Sequence, residues 1–210
     1  MSEYNRYKFS VIIPTMWCSD LIFKLLDNLE SSYFVGEILL IDNDSSKRPA
    51  RITNTDKIRI LEQEKNIYVN PSWNLGVELA NYENICISND DLVWNEKLLP
   101  LIYDNLYLGI IGQATSNYFD GPGEIVITPV TERNWGWGCC FFVHKTNWKP
   151  IPPQLLVACG DDWLVSKIPP YQISGTPIET EPHPWSVSRT ASKNEFVQLS
   201  FQDMGAFSRL

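Results

Sequence analysis

Three short strand-like runs each stop at polar or acidic residues, and that pattern limits the architectures open to this chain. Phe9–Ile13 ends at Pro14-Thr15, Glu37–Ile41 at Asp42-Asn43-Asp44, and Asn84–Ser88 at Asn89-Asp90-Asp91. Short runs rich in Ile, Leu and Val have the length and composition of strands buried on both faces. Helical stripes lie between them. Ser19 or Asp20 would cap a helix with Leu21, Ile22, Leu25, Leu26 and Leu29 on one face. Pro71 would open a second helix through Ala80, and Glu96 to Leu106 reads as a third. Such alternation predicts one α/β domain with a mostly parallel central sheet flanked by helices. In such a sheet, ligands bind at the carboxyl ends of the strands.

The second half is less regular. Ile110–Gly112, Glu124–Ile127, Gly138–Val143 and Tyr171–Ile173 read as short strands, and the last twenty residues as a partly helical lid or docking tail. A net charge of −8 opposes a broad nucleic-acid surface. The basic stretch Lys47, Arg48, Arg51, Lys57, Arg59 and Lys65 is interrupted by Asp56, Glu62 and Glu64, and reads as a solvated face. Five cysteines without C-x-x-C spacing argue against structural zinc and for a reduced, cytoplasmic setting. No apolar run approaches the ~20 residues that span a bilayer.

The chemistry concentrates in two acidic stretches. Asn89-Asp90-Asp91 presents hard oxygen ligands at a strand end, suited to Mg²⁺ or Mn²⁺ and the phosphates that travel with them. Asp161-Asp162 arrives much later, from another wall of the same expected pocket, and is free for proton removal. A polar turn after a strand, and a cap for a helix starting near Trp163, are the plainer readings of the two stretches. No Walker A loop and no G-x-G-x-x-G occurs, so the diphosphate would need a metal and side chains in place of a glycine cradle. Trp135-Gly136-Trp137-Gly138 offers flat indoles for stacking on a sugar or base, although core packing is the default for at least one of them. Cys139-Cys140 reads as packing, and His144 as a surface or structural residue.

Together these segments resemble the family-two nucleotide-sugar glycosyltransferases, which have the Rossmann-related GT-A fold. The resemblance rests on Ser10–Thr15, Glu37–Ser45, Asn66–Ala80 (family pattern N-x-G-x-x-x-A-R-N-x-G) and Ser88–Asp91. It implies a donor-binding half at 1–110 and an acceptor-binding half at 111–210, the latter carrying the tail. By position, Pro14 and Thr15 would border a UDP-type donor, Asp42 would contact its base, and Asn74 would help form its pocket. Asn89 and Asp91 take the ends of the D-x-D motif with Asp90 between them, Asp91 being the metal ligand for Mn²⁺ or Mg²⁺. Asp162 would be the general base of an inverting transfer, with Asp161 replacing the family's Glu. The resemblance further implies His183 as a late metal ligand and supports Trp135 and Trp137 at the acceptor, while Arg189, beyond Trp185, is placed to swing onto the diphosphate. Two departures stand out: Asn89 replaces an Asp, and Trp73 replaces an Arg that would face the phosphates. The acceptor implied is a glycan. Ile13-Pro14-Thr15-Met16-Trp17 is similar to small glycosyltransferases of large DNA phages, which makes a hydroxymethylated DNA base the alternative. A non-catalytic sugar- or nucleotide-binding module is the rival of another class.

Overall fold

Alternation along the central strands builds a three-layer structure. The computed structural model describes residues 3–181 and 193–210. In β1 (Phe9–Thr15), Val11 and Ile13 join one apolar cluster and Ile12 joins the other, because successive side chains leave opposite faces of a strand. The same split occurs in β2 (Val35–Asp42), where Ile38 and Leu40 oppose Leu39 and Ile41. On the first face pack α1 (Leu21–Ser31) and α3 (Leu99–Asn105), through Ile22, Leu25, Leu29, Leu99 and Ile102. On the second lie α2 (Val69–Leu79) and α4 (Gly160–Val165), through Trp73, Val77 and Leu164. The C-terminal helix α5 (Lys193–Phe207) sets Ala206 and Phe207 against that second cluster.

The remaining strands are β3 (Ile58–Glu62), β4 (Asn84–Ser88), β5 (Leu92–Val93), β6 (Ile110–Gln113), β7 (Val126–Pro129), β8 (Cys140–His144), β9 (Pro170–Ser174) and β10 (Glu179–Thr180). Among the described residues, eight of the ten strands form one sheet in the order β3-β2-β1-β4-β8-β6-β9-β7. β3, β2, β1 and β4 are mutually parallel, β6 and β9 are parallel, and β8 and β7 run against their neighbours. This is the mixed, mostly parallel α/β architecture expected. β5 and β10 make a separate antiparallel pair. Among the described residues no helix is long and apolar enough to cross a membrane.

Several local expectations shift. Pro14 does not stop β1; it stays in the strand opposite Ile41, beyond the last pairing with β4 at Ile12 and Ile87, where the missing N–H costs no ladder bond. Pro71 does not open α2 but sits in its first turn, where backbone N–H groups have no intrahelical partner anyway. The segment 96–108 is α3 bracketed by two 3₁₀ turns. Ser19, rather than Asp20, supplies the cap of α1, its Oγ accepting the Leu21 N–H at 3.1 Å.

Candidate active site

Parallel register gathers the candidate residues at one sheet edge. Thr15 lies opposite Asp42, and Asp42 opposite Glu62, at the C-terminal ends of β1, β2 and β3. β4 delivers Asn89-Asp90-Asp91 to the same edge, where Thr15 Oγ1 donates to Asp90 Oδ2 at 2.6 Å. Burial, followed by the charge of Asp91, pushes the Asp90 carboxyl up to about 7. This strand end therefore carries more negative character than its surroundings stabilise. β5 and β10 then bring the Glu181 N–H onto the Asp91 carbonyl at 3.2 Å.

The second acidic stretch meets the first across β8. Asn89 N–H donates to Cys139 O at 2.8 Å, and the neighbouring Gly138 lies so close to Asp161 that a Cβ there would be 2.2 Å from its Oδ2. Burial pushes the Cys139 thiol up to about 12, and the charges of Asp91 and Asp161 both add to the rise. Both carboxylates thus act on one thiol, and the two acidic stretches share a locality. Asp161 is itself raised to about 6, chiefly by burial, with Arg133 opposing and Asp162 adding. Neither acid caps a helix near Trp163: α4 begins at Gly160, after Cys159 in the left-handed region at φ 59°.

Arg133 is the main residue the sequence reading missed. Its Nε and Nη2 grip Asp162 Oδ1 and Oδ2 at 2.7 and 2.8 Å, and Nε also lies 2.9 Å from Asp161 Oδ2. The only signal available was that Arg133 is the sole Lys or Arg between Pro129 and His144, just ahead of the Trp-Gly-Trp segment. Trp17 and Arg48 were missed as well. The Trp17 indole donates to Asp42 Oδ1 at 2.7 Å, and Arg48 Nη1 donates to Oδ2 at 2.9 Å. Asp42 stands at the expected strand end, but both its oxygens are already engaged within the protein.

One expectation is corrected: Trp137 is fully buried, stacked on Phe141 at 5.5 Å with its indole N–H on Tyr171 O, and offers no face to an acceptor. Asn74 Nδ2 donates to Ile151 O at 2.8 Å while its Oδ1 accepts from Trp148 Nε1 and the Ile151 N–H, so this amide staples the 148–151 loop. Trp73 packs edge-on against Phe141 in the core. Trp135 does keep an exposed face, stacked on Phe119 at 5.6 Å and edge-on to Tyr118. Pro14 is partly buried beside this edge. His183 and Arg189 lie outside the described residues. The basic stretch is largely consumed internally: Lys47 pairs with Asp44, Arg48 with Asp42 and Glu62, Arg59 with Glu37, and Arg51 covers the Phe23 ring. His144 is satisfied by Thr146 Oγ1 at 2.8 Å, and all five cysteines are free thiols.

The strand-end residues fit a divalent cation in their chemistry. Asp91 and Asn89 supply hard oxygens, and a cation there would offset the charge that Asp91 adds beside the buried Asp90 carboxyl. Among the described residues no group of three His, Cys, Asp or Glu side chains is arranged for a metal. A cation here would complete its shell with phosphate and water, as Mg²⁺ commonly does.

Comparison with known proteins agrees with this geometry. The family model described as glycosyl transferase family 2 matches residues 10–162, ending at the second acidic residue of α4. No curated protein matches the sequence significantly. Among solved structures, residues 1–349 of S. aureus TarS align at TM-score 0.62 and 16% identity, over 94% of this chain and 70% of that one. The same TarS segment in complex with UDP-GlcNAc aligns at TM-score 0.59 and 16% identity, over 91% of this chain and 64% of that one. GalNAc-T7 with UDP, GalNAc and Mn²⁺ aligns at TM-score 0.62 and 9% identity, over 93% of this chain and 48% of that one. From the match over most of its length and the fold that accompanies it, the chain belongs to glycosyl transferase family 2, the nucleotide-sugar-dependent glycosyltransferases of the GT-A fold.

Proposed function

We propose that this chain transfers a sugar from a UDP-type donor to an acceptor hydroxyl by a single inverting displacement, with Asp162 as general base. The observation that carries the reading is the meeting of the two acidic stretches at Gly138-Cys139, beside the strand ends of β1, β2 and β4. UDP and UDP-GlcNAc in the aligned structures support the donor class. When bound, a divalent cation held by Asp91 with Asn89 would supply Lewis-acid neutralisation for the departing diphosphate.

The chain's own residues do the rest. The acceptor O–H gives its proton to a carboxylate oxygen of Asp162 as the oxygen forms a bond to the anomeric carbon. The bond from that carbon to the diphosphate breaks on the opposite side, and the nucleoside diphosphate leaves. Arg133 now occupies both Asp162 oxygens, so the acceptor hydroxyl must take one of them as Arg133 shifts. Arg133 thereby holds Asp162 in place until an acceptor arrives. Trp135, with Phe119 and Tyr118 beside it, is the aromatic surface we assign to an acceptor sugar ring.

A panel of nucleotide sugars, each with and without Mn²⁺, tests the reading. Turnover of one donor is expected, and Asp162→Asn should keep donor binding while transfer drops about 10²–10⁴-fold. Equal transfer by the variant, or intact donor binding with no transfer or hydrolysis by the wild type under any condition, would favour a binding module.

A further inference from the structure

The loop that carries the acidic pair is gripped from two sides, and one grip comes from the end of the chain. In α5, Asp203 is 1% exposed, and its Oδ2 accepts three successive backbone N–H groups. These are Leu156 at 3.0 Å, Val157 at 2.7 Å and Ala158 at 2.8 Å. From α2, Asn70 holds the carbonyls of the same loop: its N–H donates to Leu156 O and its Nδ2 to Ala158 O, each at 3.0 Å. A carboxylate in a cradle of consecutive N–H groups makes charge-assisted bonds that fix backbone conformation strongly. Three N–H groups and two carbonyls of the loop thereby find partners within the protein.

The acidic pair lies immediately beyond this clamp. Cys159 takes its left-handed turn, and Gly160 sits so close to Asn70 that a Cβ would lie 2.1 Å from Oδ1. The chain then enters α4 with Asp161 and Asp162 in its first turn. A second tether, the Tyr68 hydroxyl donating to Glu195 Oε1 at 2.9 Å, ties the start of α5 to the residue preceding α2. We propose that Asp203 is a positioning residue for glycosyl transfer: it holds the 156–158 loop so that Asp162 meets the acceptor hydroxyl. α5 is then part of the catalytic unit and not a tail. The proposal rests on Asp162 being the acceptor-side base.

The test compares wild type with Asp203→Ala and Asp203→Asn, well below their melting temperatures. It measures kcat and KM with the donor the panel identifies, UDP affinity by calorimetry, and amide exchange by mass spectrometry. Misplacement of a reacting group by about 1 Å costs on the order of a hundredfold. Asp203→Ala should therefore lower kcat about tenfold to a hundredfold, with donor KM and UDP affinity within about twofold of wild type. Exchange should quicken across 156–162 and stay unchanged across 84–91. Asp203→Asn, which keeps a neutral acceptor oxygen, should fall between the two and carries the comparison if the Ala variant does not fold. An unchanged kcat, or kcat and UDP affinity lost in parallel, overturns the proposal. If the wild type turns over no donor, the reaction assigned to Asp162 is what has failed. The grip itself is still decided by exchange, and unaltered exchange across 156–162 would refute it.

Discussion

Asp161 carries its charge in surroundings that oppose it, and this gives a signature in stability. Its carboxyl sits at about 6 in the fold because burial outweighs Arg133. The native state therefore binds more protons than the unfolded chain between pH ~4 and ~6. Stability from this group is complete below pH ~4, is lost as pH rises towards 6, and changes no further above that. Asp161→Asn cannot ionise, so it should match wild type near pH 4 and be more stable by roughly 1–3 kcal/mol at pH 7.5. Urea unfolding at both pH values measures this. A variant less stable than wild type at pH 7.5 would show that the Arg133 pairing outweighs burial. The acids themselves were legible in the sequence, because two separated carboxylate clusters, one of them at a strand end, can be read from position alone. Arg133 was not: its role depends on where an irregular segment sets its guanidinium, and no periodicity encodes that.

Among the elements, α2 shows how closely the donor side is built. Gly76 lets the helix backbone rest on β1, where an added Cβ would lie 2.3 Å from Ile12 Cγ2. Ile12 is fully buried and β-branched, so it yields little. Gly76→Ala should destabilise by about 1–3 kcal/mol through overpacking, despite the ~1 kcal/mol that Ala gains in helix propensity. Adding Ile12→Ala should recover part of the loss in a double-mutant cycle, and additive losses in urea midpoints would show that the contact does not limit packing. The same helix carries Asn74. Its place in the family pattern was plain, but which way its amide points depends on the 148–151 loop that meets it. Trp137 was misjudged for a related reason: Gly112 opens space beneath its indole, since a Cβ there would lie 2.2 Å from the ring. The indole packs over the paired Gly112 and Phe141 instead of facing solvent.

At the scale of the whole molecule, a site assembled from β1, β2, β4 and α4 should respond to its donor as one unit. UDP with Mn²⁺ at about a hundred times the dissociation constant adds about 2.7 kcal/mol to stability. For a domain of this size, that raises the melting temperature by roughly 5–10 °C. EDTA should return it most of the way, and the absence of any shift with uridine or guanosine diphosphate would remove the donor reading. The layers, the strand ends and the acidic residues on them could be read from the chain alone, because strand and helix periodicities and terminal polar groups are local properties. Which of those residues can act depends on how distant segments pack. Asp42 is engaged by Trp17 and Arg48, Asp162 by Arg133, and the loop before Asp161 by Asp203. Each of these partnerships joins side chains by a spatial match that separate segments acquire only when they pack.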